Sequence, residues 1–500
     1  MHRRSGALAL TLEAVLLAGC ATSALDMAPA RPDQPWSPEV GATGEIIPGA
    51  KPLPTPVGEA TYELPVNSNL ATIPAPPPDL DHDRPYTLPE LIDIAQTSNP
   101  LTRTAWNRAR EAALAAGIAR SAYLPNLTAS AVLVYQRLDR NTFDGTISTL
   151  ALQWLLFDFG QRKALNNVAK QASIISNIAF TAVHQQVIYD VSLAFYAHGA
   201  ARARVTTAAQ SLKNARDVQT AAEERYANGI GTVVEVAQAR QATAQAQLLQ
   251  VQADGAARDA YLSLLTAMGI SPLTQIRIAD TSDRKLPVAA RASIEQIVAE
   301  ALGRRPDVLT AYAMQVASAE SARAAKAEFL PKFFLAGSAA YNQGNLQVTA
   351  VPGIGQQAAT VNVSENVRNF TLFAGFTIPL YDAGTRVAAL RQAQARTDSA
   401  ALALAHTKEE AVRQIVAAEN ALRTSLAAHD ASSSLVSAAQ TTFDAALGAY
   451  RSDVGSITDV TLAHTQLLQA INASTDAHSA ALSAAATLAL AAGALGSAPR

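Results

Sequence analysis

Two long stretches of the chain keep helical character with almost no helix-breaking residue. Residues 161–227 contain no proline and one glycine, Gly199, and a helix of that length would be about 100 Å long. Residues 385–450 form a second such stretch, and each is followed by a shorter helical segment, 233–268 and 457–490. The pattern predicts two long helical hairpins that exceed the size of a compact globular core.

The residues before each long helix alternate between apolar and polar side chains, which is the pattern of β-strands. Residues 127–137 and 146–157 alternate in the first half of the chain, and residues 333–341 and 369–380 do so in the second. Strands of about 10 residues with one apolar face are typical of segments that cross an outer membrane. We therefore predict one strand hairpin before each helical hairpin.

The same series of elements occurs twice. Asn99-Pro100 returns as Arg305-Pro306, 206 residues later (306 − 100), whereas Asp158 returns as Asp382, 224 residues later (382 − 158). The difference of 18 residues (224 − 206) therefore lies between these landmarks, in the loop of the second strand hairpin. Self-similarity at a fixed spacing indicates a duplicated fold.

The repeating unit is predicted to begin with a helix, which spans about residues 89–123 in the first copy and which Pro125 would end. We expect a first structural repeat over residues 86–285 and a second over residues 286–500. The predicted fold class is mainly α with a small membrane β-barrel part. One chain offers four strands, which are too few for a closed barrel. Because lipid does not tolerate open sheet edges, two copies (8 strands) or three copies (12 strands) would be needed to close one.

The N-terminus has the features of an export signal. Arg3 and Arg4 precede an apolar run that ends in Leu17-Ala18-Gly19-Cys20, which is similar to the processing box of bacterial lipoproteins. We predict a lipoprotein signal peptide over residues 1–19 and a covalent lipid on Cys20, the only cysteine of the chain. The alternative is an ordinary signal that is cut nearby, after Ala24.

A proline-rich segment follows the predicted lipid site. Residues 25–89 hold 15 of the 24 prolines, and such a segment neither forms helix nor buries many apolar side chains. We therefore predict an extended, lipid-anchored tether over residues 20–85. Ala21, rather than an aspartate, follows Cys20, which is similar to the pattern of lipoproteins sent to the outer membrane.

Composition argues against nucleic-acid binding and against catalysis. The net charge is −2 without a basic stripe, and the sequence has no Gly-x-x-x-x-Gly-Lys phosphate loop and no His-x-x-x-His or Cys-x-x-Cys pair. We predict a protein that is not an enzyme, has no metal site and carries no cofactor besides the lipid. The six histidines on predicted helices are expected to lie on solvated or lumen-facing surfaces.

Several motifs, in order and in both halves, resemble those of the TolC-like outer-membrane efflux family. They are Leu88-x-x-Leu91-Ile92-x-x-Ala95…Asn99-Pro100, Tyr123-Leu124-Pro125, Phe157-Asp158-x-Gly160 and Tyr226-x-x-Gly229-x-x-Thr232-x-x-Glu235-Val236. The resemblance covers roughly residues 86–496. It implies a homotrimer whose twelve strands form an outer-membrane pore and whose twelve helices form a tunnel across the periplasm.

The resemblance also implies partners and a function. A periplasmic adaptor (membrane fusion) protein and an inner-membrane transporter would dock below the helices. The chain would be the outer-membrane channel subunit of a tripartite efflux or secretion system, a passive conduit gated at its periplasmic helical end. The alternative is a periplasmic coiled-coil adaptor or scaffold protein of an export complex, because adaptors also contain long helical hairpins.

The turns between paired helices carry the first candidate functional residues. Gly231-Thr232 returns as Gly455-Ser456, and the acid three residues after each hydroxyl completes a capping box. Each glycine is predicted to hold the left-handed residue that ends the preceding helix. By the resemblance the same turns also meet the adaptor, and the candidate docking residues are Tyr226, Gly229, Gly231, Thr232, Glu235, Tyr450, Gly455 and Ser456.

Asp459 and Leu462 are the candidate residues of the periplasmic gate. The resemblance implies that a carboxylate at Asp459 points inward, where three copies would favour cations in a narrow throat; its alternative role is the capping box. Leu462 stands where some relatives have a second acid, which implies a hydrophobic constriction or a weaker charge filter. An aromatic girdle at the bilayer surface, or ordinary strand packing, is predicted for Trp154, Phe157, Tyr341, Phe370 and Tyr381.

Overall fold

The structure is a computed structural model that describes residues 39–40, 46–47, 80–138, 141–281, 284–286, 293–344 and 368–496. The chain divides into two units, Met1–Pro76 and Pro77–Arg500. In the first unit, β1 (Glu39–Val40) and β2 (Ile46–Ile47) pair in antiparallel orientation. The predicted signal peptide, Cys20 and most of the predicted tether lie outside the described residues.

The second unit contains the duplicated series. Its first copy consists of β3 (Pro85–Tyr86), α1 (Leu88–Ser98), α2 (Pro100–Ser121), β4 (Asn126–Leu138), β5 (Asn141–Phe157), α3 (Gln161–Ala227) and α4 (Val233–Met268). Its second copy consists of β6 (Arg277–Ile278), α5 (Ile294–Arg304), α6 (Pro306–Ala327), β7 (Lys332–Gly344), β8 (Arg368–Thr377), α7 (Thr385–Arg451) and α8 (Ile457–Ala491). The short strands β3 and β6 pair in parallel.

The four long helices agree with the sequence prediction to within one residue at each end. The helices α3 and α7 each contain 67 residues, so each is about 100 Å long. They pack antiparallel against α4 and α8 to form two helical hairpins, the first (α3–α4) and the second (α7–α8). No helix among the described residues combines the length and apolarity needed to cross a bilayer.

The prediction of one continuous helix over residues 89–123 is wrong, because the chain breaks between α1 and α2. Asn99 is extended, with φ −68° and ψ 123°, since the proline ring of Pro100 disfavours helical backbone at the residue before it. The Asn99 side chain then caps α2 by accepting a hydrogen bond from the Leu101 amide at 2.9 Å. Arg305 is extended in the same way before Pro306, so the break belongs to the repeat.

Strands β4, β5, β7 and β8 form one antiparallel sheet in that order. Opposite residues in such a sheet share a face, and the register sets Ala129 opposite Leu150, Leu150 opposite Ala339, and Ala339 opposite Phe370. Apolar side chains therefore occupy the same face in all four strands. The fourth predicted strand was too long by three residues, since Pro379 lacks the amide that would extend the ladder.

The buried core is a series of separate clusters along the helices. The largest joins α1, α3 and α4 through Leu91, Val191, Phe195 and Leu264, and another joins the two helical hairpins near their turns. The sheet leaves large side chains exposed within the single chain, among them Leu127, Leu133, Phe370 and Leu372. A sheet with an uncovered apolar face is the arrangement expected where lipid covers that face.

Candidate functional site

The turn of the first helical hairpin is held by backbone geometry and a complete capping box. After α3, the amides of Ile230 and Gly231 both donate to the carbonyl of Arg225. Thr232 then caps α4, because its hydroxyl accepts from the Glu235 amide at 3.2 Å while the Glu235 carboxylate accepts from the Thr232 amide at 3.0 Å. The predicted capping role of Thr232 and Glu235 is confirmed.

The turn of the second helical hairpin repeats this arrangement. The amides of Val454 and Gly455 donate to the carbonyl of Ala449. The Ser456 hydroxyl accepts from the Asp459 amide at 3.2 Å and lies 2.7 Å from the Asp459 carboxylate. The predicted capping role of Ser456 is confirmed, and Asp459 completes its capping box.

The prediction that Gly231 and Gly455 hold the left-handed residue of each turn is wrong. That residue lies two positions earlier: Gly229 has φ +77° in the first turn, and Asp453 has φ +68° in the second. Gly231 and Gly455 instead stand where the chain passes close to the preceding helix. A Cβ on Gly231 would lie 2.9 Å from the Tyr226 amide nitrogen, and one on Gly455 would lie 3.0 Å from the Ala449 Cβ.

An ion pair ties the two turns together. The Arg225 guanidinium, at the end of α3, has one terminal nitrogen, Nη2, 2.6 Å from the Asp453 carboxylate. The other terminal nitrogen, Nη1, donates to the Tyr450 carbonyl at 3.3 Å. The Arg225 side chain is only 13% exposed, against 61% for Asp453, and it lies over the ring of the fully buried Tyr450. Asp453 holds the pKa of Arg225 above its ordinary value. We name this group of Arg225, Tyr450 and Asp453 the tip clasp.

Two of the three residues of the tip clasp, Arg225 and Asp453, were not among the candidates predicted from the sequence. A comparison of the two copies of the repeat shows both as charged residues with uncharged counterparts. The offset of 224 aligns Ala449 with Arg225 and Gly229 with Asp453 (449 − 225 and 453 − 229). An aspartate in a left-handed position that the other copy fills with glycine bears a backbone cost. The tip clasp thus joins two residues whose counterparts in the other copy have no charge.

The two gate candidates occupy different surroundings within the chain. Asp459 is exposed in the first turn of α8 and is held by its capping box. Leu462, one turn later, lines a groove between α4 and α8 together with Gln238, Gln241 and Thr458. A ring of either residue requires further copies of the chain, so both assignments stay predictions.

The aromatic residues near the strand ends form two levels. Phe157, Phe159, Phe333 and Phe376 lie in ring contact at the helical end of the sheet, with centroids 4.7 to 6.5 Å apart. Tyr341 lies at the other end, with Arg368 over its ring. Phe157, Tyr341, Phe370 and Tyr381 are exposed, whereas the Trp154 indole donates to the Tyr123 carbonyl at 2.9 Å.

His198 and His464 are less exposed than predicted, whereas His406 is exposed. His198 is 6% exposed and packs against Tyr261, because α3 and α4 meet there, and burial lowers its pKa to about 4. His464 lies 3.1 Å from the Ser211 hydroxyl and beside the Phe443 ring. The described part of the chain has no cluster of three or more potential metal-ligating histidine, cysteine or acidic side chains.

Comparison with protein families and curated sequences points to one group. A family described as "Outer membrane efflux protein" matches residues 91–270 and 297–494. The chain is 29% identical over 363 residues to protein CyaE of Bordetella pertussis, which covers 72% of this chain and 73% of CyaE. It is 25% identical over 348 residues to the outer membrane protein OprJ of Pseudomonas aeruginosa, covering 67% and 70% of the two chains.

Comparison with solved structures shows the same fold. The crystal structure of the outer membrane protein VceC from Vibrio cholerae superposes with a TM-score of 0.67 and 21% sequence identity. The match covers 81% of this chain and 96% of VceC. The predicted fold class, a duplicated, mainly helical unit with a small sheet, is therefore confirmed.

Proposed function

The chain belongs to the outer membrane efflux protein family, and from this premise we propose that it is the channel subunit of a tripartite export system. Family membership already makes it an outer-membrane efflux protein and not an enzyme. The proposal adds a passive homotrimeric conduit, a periplasmic adaptor protein and an inner-membrane transporter, and a gate at the periplasmic helical end.

The sheet carries the proposal of a trimeric conduit. Its four strands share one apolar face, and its outermost strands β4 and β8 each pair on one side only within the described sheet. Because a lipid-exposed sheet cannot leave its edges open, β4 of one copy must pair with β8 of another. Three copies then supply twelve strands, as the family resemblance implies, and the helical hairpins extend from one end as a tunnel.

The tip clasp supports a gate that works by separation of the two helical hairpins. Arg225 belongs to the first hairpin, whereas Tyr450 and Asp453 belong to the second, so the clasp holds the two turns together. Spreading of the hairpins would have to break this ion pair and hydrogen bond. The exposed turn residues Tyr226, Gly229 and Thr232 lie beside the clasp, where a docked adaptor would act on it.

We expect R225A and D453A each to raise the open probability of the purified channel several-fold in planar lipid bilayers. R225A removes both the ion pair and the hydrogen bond to Tyr450, and D453A removes the ion pair. The measurement is single-channel conductance at constant voltage and salt. The matched control is R240A, which breaks an exposed ion pair with Glu223 inside the first hairpin. Unchanged gating in R225A and D453A, or equal opening in R240A, would contradict the proposed gate.

Charge and capping at Asp459 are separable by two substitutions. D459N retains an acceptor for the Ser456 amide and hydroxyl but removes the charge, so we expect lower cation selectivity with nearly unchanged stability. S456A removes the cap of α8 and should cost about 1 kcal/mol of stability, with selectivity unchanged. Reversal potentials in asymmetric salt and thermal unfolding distinguish the two; unaltered selectivity in D459N would leave Asp459 with the capping role alone.

We also propose that Cys20 carries a covalent lipid that anchors the processed chain to the outer membrane. The support is the Leu17-Ala18-Gly19-Cys20 box and the absence of any other cysteine. The mature chain should begin at Cys20 and have a mass increased by lipid, and C20S should remain unprocessed. Mass spectrometry that finds an unmodified chain cut after Ala24 would exclude the anchor without affecting the channel assignment.

A further inference from the structure

Two histidines meet between the helices of the second hairpin. The rings of His429 on α7 and His478 on α8 have centroids 5.4 Å apart, with an angle of 57° between their planes. The Phe443–His464 ring pair lies fourteen residues nearer the turn in both helices (443 − 429 and 478 − 464). The imidazoles therefore occupy a regular layer of the antiparallel pair, at a fixed place in the hairpin.

The hydrogen bonds leave both rings with a nitrogen that is free to bind a ligand. Nε2 of His478 lies 3.1 Å from the Arg284 carbonyl, and because a carbonyl only accepts, this nitrogen must carry the hydrogen. Nδ1 of His478 then keeps its lone pair. Nδ1 of His429 is buried and has no hydrogen-bond partner. Histidines that bind metals commonly donate their second ring N–H to a backbone carbonyl in this way.

The fold itself does not require imidazoles at these positions. At the offset of 224, the first hairpin carries Val205 in place of His429 and Asp254 in place of His478 (429 − 224 and 478 − 224). The same layer is thus built without histidine in the other copy of the repeat.

We propose that His429 and His478 form a two-imidazole site for a divalent transition-metal ion such as Zn²⁺. Zinc binds imidazole nitrogen at about 2.0–2.1 Å, and two rings in tetrahedral arrangement then have centroids about 5 Å apart, close to the observed spacing. Imidazole favours zinc, copper and nickel over magnesium and calcium. Water completes the coordination, and the bound ion braces α7 against α8.

The test is a Zn²⁺ titration by calorimetry of the full-length protein in detergent, purified with a tag that contains no histidine. We expect one Zn²⁺ per chain, and an increase of the melting temperature on binding, since an ion that binds only the folded state stabilises it. H429V and H478Q should each weaken binding by roughly tenfold or more, because loss of a residue that only hydrogen-bonds to a metal ligand already weakens binding by that much. H406A, which removes an exposed histidine of α7, should bind like the parent.

The two variants are chosen to leave the fold intact. H429V inserts the residue that the first hairpin has at the equivalent position, and H478Q retains an amide donor for the Arg284 carbonyl. Their melting temperatures without metal should equal that of the parent protein. Absence of Zn²⁺ binding by the parent, or equal affinity in the parent, H429V and H478Q, would overturn the proposal.

Discussion

R162A should lower the free energy of unfolding by about 3–5 kcal/mol, the cost of leaving a buried charge without its partner. Arg162 stands in the first turn of α3, just after the strand-to-helix junction. Its Nε donates to the Asp158 carboxylate at 2.9 Å, and both side chains are at most 10% exposed. Removal of the guanidinium would leave this carboxylate buried without its cation, held only by hydrogen bonds from the amides of Gly160 and Arg162.

The same guanidinium also satisfies three backbone carbonyls. Its terminal nitrogens donate to Ala122 at 3.0 Å, to Leu155 at 2.6 Å and to Leu156 at 3.1 Å. These carbonyls belong to the end of α2 and the end of β5, so one side chain joins helix, strand and long helix. Buried acceptors without partners add to the loss, which explains why the expected effect exceeds that of an ordinary ion pair.

The internal repeat provides the matched control, R386A. Arg386 lies 2.9 Å from the Asp382 carboxylate, but its Nε makes no hydrogen bond in this geometry. Asp382 is 31% exposed, and among the described residues Arg386 donates to no backbone carbonyl. A partly exposed ion pair contributes up to about 1 kcal/mol. Chemical unfolding of both variants in detergent, followed by circular dichroism, should separate them; equal losses would refute the role of the carbonyl network.

G269A should cost about 3 kcal/mol, because two penalties act at one position. Gly269 ends α4 in a left-handed conformation, with φ +73°, which costs a residue with a Cβ about 1–2 kcal/mol. The added Cβ would also lie 2.8 Å from the Asn99 Cα, which is backbone and cannot rotate away. Overpacking of this kind costs about 1–3 kcal/mol more.

G384A isolates the first of these penalties. Gly384 has φ +85°, and a Cβ there would meet no atom within 4 Å. Only the left-handed cost of about 1–2 kcal/mol should therefore appear. Thermal unfolding of G269A and G384A under identical conditions gives the difference. If G384A is as unstable as G269A, close packing against Asn99 contributes nothing.

The contact of Gly269 with Asn99 is a repeated feature of the fold. Gly493, at φ +62°, approaches the backbone of Arg305 in the second copy, where a Cβ would lie 3.2 Å from the Arg305 Cα. In both copies the break before the proline therefore rests against the glycine that ends the hairpin's second helix. The kink and the glycine are two parts of one joint, although about 170 to 190 residues separate them.

Four of the residues proposed to act in function lie where the two copies differ. Arg225 and Asp453 tie the hairpin turns together, while their counterparts Ala449 and Gly229 have no charge. His429 and His478 have the same relation to Val205 and Asp254. Shared positions such as Thr232 and Ser456 serve the capping that both hairpins need. A duplicated fold thus allows local chemistry to be separated from architecture by comparison within one chain.

The sequence by itself determined the long-range plan of this protein. The stretch from Gln161 to Ala227 predicted α3 residue for residue. It contains no proline that would remove a helical hydrogen bond, and Asn228 follows it at the C-cap. The strand hairpins, the duplication and the family also followed from local patterns. These features depend on neighbours close in sequence, where periodicity, proline and caps act directly.

Only the tertiary structure decided how distant residues meet. Nothing in the local sequence of Arg225 indicates that it reaches Asp453, or that Gly269 must leave room for Asn99. The left-handed position at Asp453, rather than at Gly455, also emerged only from the folded turn. Such contacts depend on how the hairpins pack against each other, and packing is set by the sum of many weak interactions that no short motif records.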